Sequence, residues 1–137
     1  MTLIDKQQLL KEEFSYVEDP QERLALVVDR ARREPAWPAS ERTEERRLRA
    51  CVSAVWLACE VTPEGLCRFR GDAESALVKG LVVFLCEFYS GSTPREVAEA
   101  SFDLFETVGV SRHLTPTRRN GLAALVQAMR AFASSLQ

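Results

Sequence analysis

One stretch constrains the fold of this chain more than any other. Val55, Leu57, Cys59 and Val61 alternate with Ala54, Trp56, Ala58 and Glu60, the two-residue period of a strand. Thr62-Pro63-Glu64-Gly65 then reads as a turn leading to a second short strand over Leu66 to Arg70. Elsewhere the apolar spacing is helical. No strand alternates with helices in the βαβ manner, so the expected class is α+β: several helices packed on one small antiparallel sheet.

The helical segments can be bounded by their caps. Leu9, Leu10, Phe14 and Val17 share a stripe between Asp5 and Val17, and Asp19-Pro20 opens a second short helix carrying Leu24, Val27, Val28 and Ala31. Glu34-Pro35-Ala36-Trp37-Pro38 ends it as a rigid loop, because each proline disfavours helical angles in the residue before it. Asp72 with Ser75 reads as the start of a core helix in which Leu77, Gly80, Leu81, Phe84, Leu85 and Phe88 recur at threes and fours until Gly91. Thr93-Pro94-Arg95-Glu96 fits a capping box. A short piece from Asp103 to Val108 ends at Gly109, and Thr115-Pro116 caps a last helix with Leu122, Leu125, Met129 and Phe132 on one face.

At 137 residues and 46% hydrophobic, the chain is expected to form one domain over residues 1–137. A net charge of -2 supplies no field for nucleic acid or an anionic membrane, which leaves a protein or small molecule as partner. The charged N-terminus lacks a signal peptide's apolar run, and the apolar run Ala76 to Phe88 is too short to span a bilayer and is broken by Lys79 and Glu87. A cytoplasmic location is expected. Cys51, Cys59, Cys67 and Cys86 are then free thiols, and without a CxxC pair they do not resemble a zinc site.

Cysteine is the strongest nucleophile present, but only as thiolate. Cys51 follows Arg46, Arg47 and Arg49 at the edge of the first strand, an electropositive setting that favours the anion. The alternative for Cys51 is a small buried hydrophobe beside a solvated charge run. Cys59 and Cys86 read as packing residues, while Cys67 is ambiguous on its short strand. His113 is a candidate base for a Cys–His hydrolase or a plain surface histidine. No nucleotide-binding, GxSxG or HExxH fingerprint occurs.

Three segments stand out together: Ala50-Cys51-Val52-Ser53-Ala54-Val55-Trp56, the run from Gly71-Asp72 to Lys79-Gly80, and Arg112-His113-Leu114-Thr115-Pro116-Thr117-Arg118-Arg119-Asn120-Gly121-Leu122. In this order they resemble the SufE family of sulfur acceptors. The resemblance implies a fold similar to the IscU scaffold proteins, with the cysteine at a loop tip beside the sheet. It also implies that Cys51 takes persulfide sulfur from a cysteine desulfurase, stimulates that enzyme, and passes the sulfur to an iron–sulfur scaffold, with no cofactor of its own. Arg118, His113 and Asp72 are the expected partner-binding residues, and Val52, Val55 and Trp56 the expected pocket around the thiol. The competing function is an interaction module that activates the desulfurase without carrying sulfur; homodimerisation is open. The chain departs from the family pattern at Ala50, where glycine is usual, at Arg46, where asparagine is common, and at Val52, where a polar residue stands. Alanine does not readily take positive φ, so a stiffer or differently posed loop is expected.

Overall fold

The computed structural model describes residues 1–136, in which six α-helices pack on a two-stranded antiparallel sheet, an α+β arrangement. Helix α1 (Leu3–Ser15) begins two residues before the expected Asp5, on a Thr2/Asp5 capping box, and α2 (Pro20–Asp29) begins with the expected Asp19 cap, which accepts the Gln21 N–H. Each such cap contributes about 1 kcal/mol by pairing an amide that the helix leaves open. A 3-10 turn over Arg30–Arg33 follows α2.

Strand β1 (Val55–Val61) pairs with β2 (Cys67–Ala73) in a register that sets Val55 opposite Ala73, Trp56 opposite Asp72, and Val61 opposite Cys67. The second strand therefore extends three residues past the expected Arg70. Asp72 is a strand residue facing Trp56, and Ser75 caps the next helix, its hydroxyl accepting the Val78 N–H. The turn between the strands closes on Gly65 at φ +83°, a conformation that costs a residue with a Cβ roughly 1–2 kcal/mol.

Helix α3 (Ala76–Tyr89) is the centre of the molecule, with Val78 and every residue from Gly80 to Cys86 buried. Its two sides are brought close by glycine. A Cβ on Gly71 of β2 would collide with Val82 and Cys86, and a Cβ on Gly80 would lie 2.5 Å from the Val28 backbone in α2. The sheet thus rests directly on one side of α3 and α2 on the other. Phe84 continues the core toward α1 and toward residues 104–107, its ring centroid 6.2 Å from that of Phe14 and 6.2 Å from that of Phe105. Helices α4 (Pro94–Glu99) and α5 (Leu104–Thr107), a 3-10 turn over Ser111–His113, and α6 (Pro116–Ser135) complete the chain. The Thr93/Glu96 capping box and the Thr115 cap both form.

The other face of the sheet is covered by the segment between α2 and β1, which is more than a spacer. Leu48 N–H donates to the Val55 carbonyl and Leu57 N–H to the Arg46 carbonyl, both at 2.9 Å, so residues 46–48 run beside β1 as a short third rung. Arg42 stacks its guanidinium 4.6 Å over the Trp56 ring, and Trp37 lies between Arg46 and Arg70. Strict alternation of inside and outside is lost here: Val55, Trp56 and Leu57 are all buried, while Val61 at the hairpin end is exposed.

Candidate functional site

The third rung delivers the chain to Cys51 three residues later. The Cys51 N–H donates to the Leu48 carbonyl at 3.4 Å, and its Sγ lies 3.7 Å from the Gly121 carbonyl oxygen of α6, within reach of a thiol hydrogen bond. Half-buried, the thiol sits at the mouth of a small cavity of about 50 Å³. The walls are Val55 of β1, Leu81 and Val82 of α3, and Gly121, Leu122 and Leu125 of α6, with Val52 and Arg118 also on the lining. Such a space exceeds what one water needs, and its walls are mainly apolar, with Ser53, Thr117 and Arg118 the polar side chains on the lining.

One expectation about this pocket is corrected: Trp56 does not line the cavity, because strand alternation turns it to the opposite face, under Arg42. Val52 and Val55 do line it, although Val52, 84% exposed, packs too little to retain the loop. The loop is instead retained by the Leu48 and Gly121 contacts. No non-glycine residue has positive φ among the described residues, so Ala50 occupies an ordinary backbone region in place of the usual glycine.

The electrostatic expectation is also corrected. Arg46 donates to the Glu41 carbonyl and Arg49 pairs with Glu44 at 3.3 Å in solvent, so two of the three arginines before Cys51 are engaged away from the sulfur. Burial pushes the Cys51 thiol above its ordinary pKa. In the isolated chain the site therefore holds a protonated, unactivated thiol. The other cysteines are further from reactivity: burial, followed by the neighbouring Cys67, pushes Cys59 up to about 11, and Cys86 is raised more strongly by burial in the core. Cys67, ambiguous in sequence, is fully buried. Among the described residues no group of three or more His, Cys, Asp or Glu side chains is placed to hold a metal ion.

Asp72 is not available to a partner, contrary to the sequence expectation, because it is completely buried. Its Oδ2 accepts the Trp37 N–H at 3.0 Å and two Arg42 N–H groups at 3.0 and 2.9 Å, while Lys79 Nζ stands 3.4 Å from Oδ1. Burial alone would raise its pKa; the Trp37, Arg42 and Ala73 donors and the Lys79 charge outweigh that and lower it. This carboxylate fastens the covering segment to the sheet. Lys79 reaches further, donating to the Glu34 carbonyl at 2.7 Å.

Of the remaining expected residues, His113 is exposed at the end of its 3-10 turn and shares no hydrogen bond with Cys51, which removes the base of a Cys–His hydrolase. Arg118 sits in the first turn of α6 on the cavity lining, half-buried, with no ion pair or side-chain hydrogen bond among the described residues. Gly121, which reads in the sequence as a helix-end or turn glycine, lies instead inside α6, in its second turn. Its contact with Cys51 crosses 70 positions of chain, and only the fold reveals it.

Comparison with known proteins agrees with this fold. A family model described as "SufE: Fe-S metabolism associated domain" matches residues 8–133. A solution structure of a hypothetical protein from Thermus thermophilus has the same fold, with a TM-score of 0.74 over 98% of this chain and 97% of that chain, at 21% identity.

Proposed function

The chain belongs to the SufE family of Fe–S metabolism associated domains, and on that premise we propose that Cys51 is a sulfur acceptor for a cysteine desulfurase. The observation that carries this reading is the setting of Cys51. It alone among the four cysteines stands on a loop, at the mouth of an apolar cavity, under two weak contacts that a docking protein can displace. In the reaction, the Cys51 thiolate attacks the terminal sulfur of the desulfurase persulfide. The sulfur–sulfur bond of that persulfide breaks, the desulfurase cysteine leaves as thiolate, and Cys51 carries the new persulfide. A thiol exchange of this kind oxidises nothing overall and uses no further cofactor. Sulfur then passes by a second exchange to an iron–sulfur scaffold.

Since burial holds Cys51 protonated in the free chain, docking must both expose it and favour its anion, which makes the loop a two-state element biased by the partner. Arg118, uncommitted on the cavity lining, and the exposed His113 on the turn before α6 are the residues proposed to meet the desulfurase. The whole of 1–137 acts as one unit in this reading, in the cytoplasm; no helix of the described residues is long and apolar enough to cross a membrane.

The protonated resting thiol also keeps the interaction-module reading in play, and one experiment separates the two. Cys51→Ser preserves shape but cannot form a persulfide. Sulfide release by a cysteine desulfurase should be stimulated by the wild-type chain and fall to the unassisted rate with the serine variant, while binding persists. Full stimulation by Cys51→Ser would refute sulfur carriage.

A further inference from the structure

Glycine is the weakest ordinary helix former, and an interior position such as 121, in the second turn of α6, should favour alanine unless a Cβ has nowhere to go. The surroundings give one reason against a side chain. An added Cβ would have a single heavy atom within 4 Å beyond its own helix and chain neighbours, Cys51 Sγ at 3.3 Å. The same residue's carbonyl oxygen is the hydrogen-bond partner of that sulfur at 3.7 Å. A helical carbonyl has a second lone pair beyond the one its own helix uses, so it can take the thiol without breaking the helix.

We propose that Gly121 is the positioning residue of the acceptor thiol: its carbonyl takes the S–H of the empty carrier, and its bare Cα gives Cys51 Sγ the room to sit there. This rests on the reading of Cys51 as sulfur acceptor and adds what sets its resting position. A thiolate has no hydrogen to donate, so Cys51 must leave Gly121 before it can attack. Once loaded, Sγ is bonded to carbon and to the terminal sulfur and again carries no hydrogen. The contact is therefore one that only the empty, protonated carrier makes.

The test is Gly121→Ala on the isolated full-length chain, with the rate of Cys51 alkylation followed against pH. The methyl group displaces the sulfur from its acceptor, so the midpoint of the profile should fall by about half to one pH unit and alkylation at neutral pH should rise about threefold to tenfold. A merely structural role would leave that midpoint where it is. As a second readout, the same substitution is made in a Cys51→Ala background, where the obstructing sulfur is gone. There alanine at 121 should raise Tm by roughly 2–4 °C more than it does in the wild-type background. An unchanged pH midpoint, or equal Tm effects in the two backgrounds, would overturn the proposal. No desulfurase enters either measurement, so failure here and failure of sulfur acceptance are separate results.

Discussion

Asp72→Asn removes the buried negative charge that fastens the covering segment to the sheet, beside the more exposed Glu41–Arg70 pair at 3.6 Å, and its cost can be worked from the contacts. The side chain keeps its shape and one oxygen acceptor, but Arg42 and Lys79, with side chains only 27% and 13% exposed, are left without a counter-charge. Breaking a buried pair by neutralising one member costs about 3–5 kcal/mol, and the oxygen retained by asparagine brings the expected loss to about 2–4 kcal/mol. For a chain of this length that lowers Tm by roughly 6–14 °C. Urea titration at neutral pH measures it directly. The pH dependence supplies a signature: the folded pKa of Asp72 is depressed, so its contribution is fully present above the unfolded value of about 3.9 and is lost as pH falls through the folded value. The gap between wild type and Asp72→Asn should therefore narrow as the titration is repeated below about pH 4. Because residues 46–48 lead from that segment into the cysteine loop, the variant should also expose Cys51 to alkylation at neutral pH. A loss under about 1 kcal/mol at neutral pH, or a gap that persists unchanged into acid, would refute the fastening role.

Two further substitutions probe the surroundings of the thiol. Arg118→Glu should weaken the complex with the desulfurase and make it less sensitive to salt, since the half-buried guanidinium has no internal partner to satisfy; unchanged affinity at low ionic strength, read by titration calorimetry, would reduce it to a solvated charge. Cys86→Ser should retain sulfur transfer but destabilise the fold by about 1–3 kcal/mol, because a hydroxyl replaces a thiol among apolar neighbours; loss of transfer with unchanged stability in denaturant titration would give Cys86 a chemical role.

Much of this arrangement was legible in the sequence because it is local. The caps at Asp19, Thr93 and Thr115, the hairpin and the core face of α3 follow from residues within a few positions of each other. The errors arose where distant residues decide. Asp72 read as a helix start because an acid before Ser75 suits a cap, yet it is drawn into β2 by its place opposite Trp56 and by Arg42, 30 positions away. The arginines before Cys51 read as activators because neighbours in sequence stand for neighbours in space. The fold spends Arg46 and Arg49 on Glu41 and Glu44, and what sets the thiol is Gly121 and burial. Alternation in β1 gave the facing of Val55 and Leu57 correctly. It could not show that Trp56, on the other side, is covered as well, because the cover comes from a segment with no regular period.

The central claim is that sulfur lands on Cys51, and it is tested by mass spectrometry of the chain after incubation with a cysteine desulfurase and cysteine. The free thiols are alkylated on unfolding and the peptides mapped. The account predicts one added sulfur on the peptide containing Cys51, removed by reductant, with Cys59, Cys67 and Cys86 unmodified. A chain that binds the desulfurase and stimulates it, yet shows no added sulfur on Cys51 or carries it on another cysteine, would contradict the account.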